Sequence, residues 1–491
     1  MFLTAALTVG GSVLLGLAAR KDDKNPFFVL GGLALLGIAV FMRLTGTGPL
    51  LDSVGFAAAE LGAGLLIIAG MVAGKKEQAR SFFMLGMGSM VLGVVIILLR
   101  GSMFSSSEQV TLLVELGPDD SYEEIAAVVE AHQGVAERAF PMVDLAEDED
   151  LAQVYLIRLP KDCREALRKI LDLDTENVDH TELNPTFSLD LPATEPIEEM
   201  LPLDVLENDP LVGSQWALEA IRGHEAHALL QDAEPVRKAV VAIVDTGVDA
   251  SHEDVSSVFG ESPGSRDRHG HGSHCAGIAG ATTNNGLGVA SLNWEGRFVT
   301  ILGFSALGDN GLGTAESTAE GIISAAEAGA DVISLSLGGQ SPITPKVMVD
   351  AVKFARKRGA VVIAAAGNSN IDAKKSVPSN IEGVIAVGAV NERLAKAPFS
   401  NTNSSLSRPI SAPGTNILSL RPGGGYVKLS GTSMATPMVS GLAGVLRALN
   451  PELTADEVYG ILKDSGRSVA GSGTVGTMID AEQAVRSVLD A

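Results

Sequence analysis

Two apolar runs in the second half of the chain constrain its fold more than any other feature. Residues 239–244 and 361–366 carry no polar side chain, and the polar residues Asp245 and Asn368 follow them. Such runs are typical of strands in a parallel sheet that is covered on both faces. Strand and helix patterns alternate over residues 239–449, which predicts an α/β domain with three layers and a mainly parallel sheet. Polar groups at the carboxyl ends of such strands commonly form ligand or catalytic sites.

A serine near the end of this region is placed to act as a nucleophile. Residues 431–437 have the sequence Gly-Thr-Ser-Met-Ala-Thr-Pro and lead into an apolar helix over residues 438–449. This pattern presents the Ser433 hydroxyl at a helix N-terminus, where unpaired N–H groups favour developing negative charge. A serine also needs a base that takes its proton and a carboxylate that orients the base. Small residues follow His271, as a helix packed closely on a sheet would require.

Each of these residues has a simpler interpretation when it is considered alone. Asp245 and Asn368 could be turn residues after a strand. The stretch from His269 to His274 could be a histidine-rich metal tract. Zinc is disfavoured there because no nearby cysteine pair or acidic residue clearly completes a set of four ligands. The four segments decide the question only in combination.

Together, the four segments resemble the subtilisin-like serine proteases (subtilases) over about residues 207–491. Asp-Thr-Gly at 245–247 matches the aspartate motif of the family. Residues 271–277 match the histidine motif, whose first histidine is catalytic, and residues 431–437 match the serine motif without a mismatch. The three motifs also occur in the family's chain order.

The resemblance implies a role for each of these side chains. Ser433 would attack the scissile carbonyl, His271 would carry the proton, and Asp245 would orient His271. Asn368 would donate a hydrogen bond to the oxyanion. The expected activity is hydrolysis of peptide bonds in extended polypeptides, and a catalytically idle membrane scaffold or sensor is the alternative.

A further segment, residues 334–339, resembles the part of the family in which an exposed strand edge pairs with the substrate backbone. An ordinary core strand that ends in a glycine turn is the simpler interpretation of this segment. The residues that we expect to bind substrate are Ser336, Leu337, Gly338, Ala366 and Gly367.

The two cysteines do not form a disulfide framework in a chain of 491 residues. Cys275 lies four residues after His271, and we interpret it as a small buried hydrophobic residue rather than as a thiol nucleophile. His224 and His227 are three residues apart, whereas the zinc-protease motif needs a spacing of four. They are therefore predicted to lie at a solvated helix end.

Four apolar segments precede the catalytic region, at residues 2–19, 27–42, 54–74 and 81–99. Each is close to the length that crosses a bilayer as a helix, which predicts four transmembrane helices over residues 1–104. Buried helices of a soluble domain are the alternative. A cleaved signal peptide is disfavoured because the basic residues follow the first apolar run.

The distribution of basic residues predicts the orientation of these helices. Arg20, Lys21 and Lys24 lie in the first loop, and Lys75, Lys76 and Arg80 lie in the third. Because basic loops stay in the cytoplasm, both chain ends are expected outside. The sequence therefore predicts a multi-pass protein of the cell membrane whose catalytic domain is extracytoplasmic and whose partners include the lipid bilayer.

Residues 105–186 have the pattern β-α-β-β-α-β, which predicts a small ferredoxin-like α+β domain. The predicted strands span residues 110–116, 135–143, 153–159 and 177–183, and the predicted helices span residues 122–132 and 164–171. By position and element order, this domain resembles the inhibitory propeptide of subtilases, so the chain's own N-terminal domain is an expected partner. A generic spacer domain is the alternative.

Residues 187–208 are rich in proline and acidic residues, which predicts a linker before a catalytic domain at residues 209–491. We expect self-cleavage between about Phe187 and Asp209. The formal net charge of −23 argues against nucleic-acid binding, which needs a basic surface. No cofactor and no metal ligand is assigned from the sequence, and calcium, frequent in the family, stays possible without a site.

Overall fold

The computed structural model describes residues 108–189 and 205–491. The chain divides into two compact units, Met1–Gln109 and Val110–Ala491. The four predicted membrane segments lie outside the described residues, as does most of the predicted linker. Within the described ranges, no helix combines the length and the apolar character that crossing a membrane requires.

The N-terminal part of the second unit contains all six predicted elements around a four-stranded sheet. Strands β1 and β4 pair in antiparallel fashion, as do β2 and β3, and the strand order is β2-β3-β1-β4. Apolar residues from the sheet and from both longer helices form one buried cluster. The elements are β1 (Gln109–Leu116), α1 (Tyr122–Ala131), β2 (Val135–Arg138), a short α2 (Glu149–Ala152), β3 (Val154–Pro160), α3 (Lys161–Leu171) and β4 (Val178–Leu183).

The second strand is shorter than the predicted range of residues 135–143. It ends at Arg138, whose guanidinium donates hydrogen bonds to the carbonyl oxygens of Val143 (2.7 Å) and Ala152 (3.2 Å). Pro141 follows and has no N–H group for continued strand pairing. The chain therefore turns back after Arg138, and the sequence-based boundary is wrong by five residues.

A seven-stranded parallel sheet forms the centre of the catalytic region. Both apolar runs of the sequence form interior strands of this sheet, which places Asp245 at a strand end and Asn368 three residues beyond one. In spatial order, the strands are β17 (Thr477–Met478), β14 (Pro409–Pro413), β13 (Ile385–Val390), β11 (Val361–Ala365), β9 (Val332–Leu335), β6 (Ala239–Asp245) and β7 (Val299–Ser305).

Helices cover both faces of this sheet, which confirms the predicted three layers. On β6, Val241 and Ile243 pack with one helix group, and Ala242 and Val244 pack with the other. This alternation is what a strand that is buried on both faces requires. The first group contains α6 (His271–Gly280) and α9 (Thr432–Leu449), and the second contains α7 (Ala315–Glu327) and α8 (Lys346–Lys357).

Smaller elements complete the catalytic region. Two of its helices, α4 and α5, come before the sheet, and three others come near the C-terminus. The remaining elements are α4 (Trp216–Ala220), α5 (Gly223–Leu230), β8 (Leu312–Thr314), β10 (Gly339–Gln340), β12 (Ser376–Val377), β15 (Ile417–Leu420), β16 (Tyr426–Leu429), α10 (Ala455–Asp464), α11 (Ser472–Val475) and α12 (Ala481–Leu489).

The N-terminal α+β part is docked on the catalytic region through a short strand, β5 (Thr186–Ser188). This strand pairs in antiparallel fashion with β8, and Phe187 is buried. The first two residues of the predicted linker, 187 and 188, belong to this strand. Phe187 supplies an apolar anchor for this strand. The acidic, proline-rich composition of the residues that follow did not indicate it.

A carboxylate from the α+β part also caps a helix of the catalytic region. The two carboxylate oxygens of Glu182 accept hydrogen bonds from the backbone N–H groups of Lys346 (2.7 Å) and Val347 (2.8 Å), the first two residues of α8. These N–H groups have no partner within the helix, and the helix dipole favours an anion there. The Lys346 ammonium is 2.9 Å from a carboxylate oxygen of Glu115.

Helices α6 and α9 approach each other closely at a glycine. A Cβ atom added at Gly441 would lie 2.4 Å from the carbonyl oxygen of Ala279. We expect Gly441→Ala to lower the free energy of unfolding by roughly 1–2 kcal/mol, because overpacking outweighs the gain in helix propensity. Thermal unfolding of the variant and of the parent protein measures the effect.

Gly460 in α10 provides the matched control, because an added Cβ would meet no atom within 4 Å. Gly460→Ala is expected to raise the stability by up to about 1 kcal/mol, since alanine is the better helix former. Melting temperatures that shift in the same direction for both variants would contradict the close approach of the two helices.

Candidate active site

The Asp245 carboxylate and the His271 imidazole meet at the carboxyl end of β6. Asp245 is the last residue of that strand and His271 is the first residue of α6. The Nδ1 atom of His271 lies 2.8 Å and 2.9 Å from the two carboxylate oxygens. Gly270, with φ of +100°, gives the turn that starts α6. Both side chains are fully buried, so the pair is shielded from water.

The electrostatics of this pair favour a proton on the histidine. Burial by itself lowers the pKa of His271, but the adjacent Asp245 carboxylate outweighs burial and raises the pKa well above its usual value. With Nδ1–H donating to Asp245, the lone pair of the neutral ring is on Nε2. This atom is buried and has no hydrogen-bond partner among the described residues. It is therefore available as an acceptor.

Ser433 lies beside this pair as the second residue of α9. The Cys275 sulfur contacts both the pair and the serine, because Sγ lies 4.0 Å from His271 Nδ1 and 3.5 Å from the carbonyl oxygen of Ser433. The Ser433 hydroxyl donates to the carbonyl oxygen of Ser336 at 3.0 Å. The structure thus brings the three predicted residues together, with the serine hydroxyl turned toward Ser336 rather than toward His271.

A proline inside α9 frees the carbonyl group of Ser433. Pro437 has no N–H, so the helical hydrogen bond to the carbonyl four residues earlier is missing. The Ser433 carbonyl oxygen instead accepts from the Ser336 hydroxyl at 2.8 Å and from the Cys275 thiol. Two other segments of the chain, at Ser336 and at Cys275, therefore fix the backbone of Ser433.

Asn368 lies next to the turn that precedes Ser433. Its side-chain oxygen accepts hydrogen bonds from the backbone N–H (2.8 Å) and the hydroxyl (2.9 Å) of Thr432. Because the oxygen is fixed in this way, the amide Nδ2 is turned toward Gly431, where an added Cβ would lie 3.4 Å from it. The amide group that was expected to donate to an oxyanion is thus held near the serine.

A cavity of about 330 Å³ opens beside Ser433. Of the residues expected to bind substrate, Ser336, Leu337, Gly338 and Gly367 line it, whereas Ala366 does not. The full lining comprises Ser188, Leu189, Ser336, Leu337, Gly338, Gly339, Gln340, Ala365, Gly367, Asn368, Ser369, Ser376, Val377, Asn401, Thr432 and Ser433.

The backbone of Ala366 is engaged in hydrogen bonds within the protein. Its N–H donates to the carbonyl oxygen of Val387 at 3.0 Å, and its carbonyl oxygen accepts from the Asn401 amide at 2.8 Å. The residue is fully buried, so its backbone serves the sheet rather than the cavity. The expected strand edge at residues 334–339 also differs, because β9 is an interior strand and only the turn after it reaches the cavity.

Sequence reasoning missed two parts of this site. One is the edge strand β8, and the other is the chain's own segment at Ser188 and Leu189, which lines the cavity and pairs along β8. The Leu189 N–H donates to the carbonyl oxygen of Gly311 at 3.1 Å, which continues the pairing. The turn signal Asp-Asn-Gly at residues 309–311 precedes β8, but a three-residue strand with a central glycine has no recognisable hydrophobic period.

The neighbouring His274 has a structural role. Its Nε2 lies 3.0 Å from the carbonyl oxygens of Ile417 and Val427, and burial lowers the pKa of the ring to about 3. The ring is therefore neutral, and its Nε2–H donates to these backbone carbonyl oxygens. The choice of His271 as the candidate base is consistent with this difference.

Two groups in the described parts of the chain have side chains close enough to bind a metal ion. One consists of Asp245, His271 and Cys275, and the other of Glu207, His224 and His227. Both groups contain nitrogen donors, whereas calcium takes oxygen ligands. Neither group therefore provides a site for the calcium that the resemblance leaves possible.

Comparisons with known proteins agree with this geometry. The model of the "Subtilase family" matches residues 237–478. Thermitase from Thermoactinomyces vulgaris is 36% identical over 275 residues, which cover 54% of this chain and 94% of that protein. Subtilisin Savinase from Lederbergia lenta is 34% identical over 277 residues, covering 55% and 98% respectively.

A solved structure of proteases from Pseudoalteromonas arctica PAMC 21717 matches with a TM-score of 0.51 and 30% identity, covering 57% of this chain and 99% of that one. The chain belongs to the subtilase family. It is a subtilisin-like serine protease.

The buried thiol of Cys275 gives a prediction about reactivity. Burial raises the pKa of this thiol, so little of the reactive thiolate is present at neutral pH. In a Cys163→Ser background, we expect a thiol reagent to label Cys275 only after unfolding. Cys275→Ala is expected to keep the peptidase activity within about tenfold, because the Ser433 carbonyl oxygen that loses the weak thiol donor keeps the Ser336 hydroxyl as a donor. Labelling of Cys275 in the folded protein would contradict the interpretation of this thiol as a buried, unreactive group.

Proposed function

We propose that this chain is a membrane-anchored serine endopeptidase that hydrolyses extended polypeptides by means of Ser433, His271 and Asp245. The observation that carries the proposal is the buried Asp245–His271 pair at the end of β6, beside Ser433 at the start of α9. The accessible cavity at Ser433 provides space for a substrate. An idle scaffold would not need a buried, uncompensated Nε2 next to a serine.

In the proposed reaction, the Ser433 hydroxyl rotates from the Ser336 carbonyl oxygen toward His271 Nε2. The hydroxyl oxygen then attacks the scissile carbonyl while Nε2 accepts its proton. His271 passes the proton to the leaving amine, and water hydrolyses the acyl-enzyme by the same route. The Asp245 carboxylate keeps the imidazole in the required tautomer and stabilises the imidazolium, which agrees with the raised pKa of His271.

The oxyanion of the tetrahedral intermediate would be bound by the Asn368 amide and by the backbone N–H of Ser433. The N–H groups in the first turn of α9 have no helical acceptor, and the helix dipole favours negative charge there. Loss of one such donor costs about 3–4 kcal/mol of transition-state stabilisation. This magnitude is the one established for subtilisin, a member of the same family.

Substrate backbone would pair with the edge of β8 and with the turn at Ser336–Gly338. Support comes from the chain's own strand β5, which occupies the β8 edge in antiparallel pairing. Main-chain pairing gives affinity for any extended segment, and the cavity adds side-chain selectivity. Ala365 and Gly367 are small lining residues that leave room for a substrate side chain.

The α+β domain at residues 105–186 is proposed to act as an inhibitory propeptide-like domain of the ferredoxin-like class. Its strand order β2-β3-β1-β4 and its two longer helices support that class. The docking through Glu182 and Phe187 supports the inhibitory role, because the segment that follows lines the cavity at Ser433. While β5 is paired with β8, another polypeptide cannot pair with the same strand edge.

The membrane anchor and the extracytoplasmic location of the protease are proposed from the sequence. Four apolar segments within the first 104 residues and the basic first and third loops support them. Self-processing is proposed within residues 187–208. Leu189 lines the cavity beside Ser433, which favours a cut soon after this residue.

The catalytic assignment predicts a specific change in the pH dependence of peptide hydrolysis. Because the Asp245 carboxylate raises the pKa of His271, the basic form of the imidazole accumulates only above that raised value. Asp245→Asn removes the charge, so the acid limb of kcat/KM should move to lower pH. Activity should also fall by about 10⁴-fold, the effect established for other Ser-His-Asp proteases.

Ser433→Ala serves as the control, with an expected loss of about 10⁶-fold, the loss established for the catalytic serine of subtilisin. A fluorophosphonate probe should label the parent protein and not Ser433→Ala. An acid limb that stays in place or moves to higher pH in Asp245→Asn would contradict the proposed pair. Absence of labelling in the parent protein would favour an idle scaffold.

Expression in cells tests anchoring and self-processing in one experiment. Ser433→Ala should remain a full-length chain in the carbonate-washed membrane pellet. The parent protein should release a soluble fragment to the extracytoplasmic side, and mass spectrometry should find its N-terminus within residues 187–208. Full-length chains from both proteins would contradict self-processing, and Ser433→Ala in the soluble fraction would contradict anchoring.

A further inference from the structure

A buried cluster of Glu207, His224 and His227 lies outside the active site and is not used by the proposed reaction. His224 and His227 are on α5, three residues apart, and therefore on the same face of the helix. Glu207 comes from the segment that leads into the catalytic domain. The side chains of Glu207 and His227 are completely buried, and that of His224 is 20% exposed. The predicted solvated helix end is therefore wrong for His227.

The hydrogen bonds of His227 determine which ring nitrogen carries the proton. Nε2 lies 2.6 Å from the carbonyl oxygen of Ser291. A carbonyl oxygen can only accept, so Nε2 must carry a hydrogen atom. In a neutral ring, the lone pair is then on Nδ1, and this atom points at the carboxylate oxygen Oε1 of Glu207. Two acceptors face each other unless a proton or a cation lies between them.

The same carboxylate oxygen is approached by a second imidazole. His224 Nδ1 is 2.9 Å from Glu207 Oε1, and all three donor atoms lie within 4.8 Å of one another. The other oxygen, Oε2, is buried and has no hydrogen-bond partner among the described residues. A proton on His227 would satisfy one contact and would leave Oε2 without a partner. A cation at this place would be shared by both imidazoles and by the carboxylate.

We propose that Glu207, His224 and His227 bind a zinc ion. Two imidazoles and one carboxylate form a ligand set that suits zinc, whereas calcium and magnesium prefer oxygen ligands alone. Around a tetrahedral zinc with bonds of 2.0–2.1 Å, the ligand atoms lie about 3.3 Å apart, which small side-chain shifts would reach. The hydrogen bond from His227 Nε2 to Ser291 is the outer contact that a metal-bound histidine normally makes.

The charges around Glu207 agree with a cation site. In the described parts of the chain, no lysine or arginine is recorded in an ion pair with this carboxylate.

The position of the cluster assigns a structural role to the zinc ion. Glu207 lies two residues before Asp209, whose buried carboxylate accepts the N–H groups of Asn284 and Asn285. Zinc would tie the start of the catalytic domain to α5 and would keep it docked whether or not the preceding linker is cut. The cluster shares no residue with the cavity at Ser433, so binding and catalysis are separable.

The test uses the full-length Ser433→Ala chain in detergent, without a polyhistidine tag, after removal of metals with a chelator. We expect one zinc ion per chain by mass spectrometry of the metal content, and a higher melting temperature with zinc than with magnesium or calcium. His224→Gln and Glu207→Gln should each weaken zinc binding by more than about 100-fold, beyond the 10–100-fold cost of losing an outer contact. Competition with a coloured chelator measures the affinity.

Two controls separate this site from other zinc binding. Glu225→Gln, on the same helix and half-exposed, should bind zinc as the parent does. Cys275→Ala should also retain one zinc ion, and the cobalt-substituted protein should show no thiolate-to-cobalt absorption. Stoichiometric binding that survives His224→Gln and Glu207→Gln, or that is lost in Cys275→Ala, would overturn the proposal. Absence of zinc binding and of a zinc-dependent melting shift would overturn it in favour of a protonated histidine–carboxylate pair.

Discussion

The freed carbonyl group of Ser433 is the point on which the active-site geometry depends. Pro437 removes its helical partner, and the Ser336 hydroxyl replaces that partner at 2.8 Å. This one interaction joins the start of α9 to the turn after β9, while Cys275 joins it to α6. The serine is thus held between the two segments that carry the base and the substrate turn. The close approach of α6 and α9 at Gly441 keeps this arrangement at a fixed distance.

The sequence predicted those parts of the fold and the site that depend on local patterns. The apolar runs that form β6 and β11 are continuous. Such runs are typical of parallel strands that are buried on both faces, so residue type alone predicts this arrangement. Each of the motifs around Asp245, His271 and Ser433 combines a turn with a functional side chain. The motifs can therefore be recognised in the sequence although they lie far apart along the chain. The α+β pattern also gave the correct element types, because its helices and strands have distinct periods.

Features that depend on contacts between distant segments could not be predicted in this way. The pairing of β5 with β8 joins two three-residue strands that lack a hydrophobic period. Ala366 was expected to bind substrate, yet its N–H donates to Val387 within the sheet. Glu207 and His227 are 20 residues apart, and only the folded chain brings them together. The spacing of His224 and His227 does not match the zinc-protease motif, and it therefore did not indicate this cluster.

The strand β5 has a consequence for any competing polypeptide. Because β5 and β8 belong to the same chain, the effective concentration of β5 at the β8 edge is about millimolar, as for a short tether. A free peptide at micromolar concentration cannot displace a partner that is always present. Once the tether is severed, the same contacts are subject to dilution, and the occupant can leave and be replaced. A covalent bond elsewhere in the chain thus determines whether the β8 edge is occupied, although the β8 edge itself does not change.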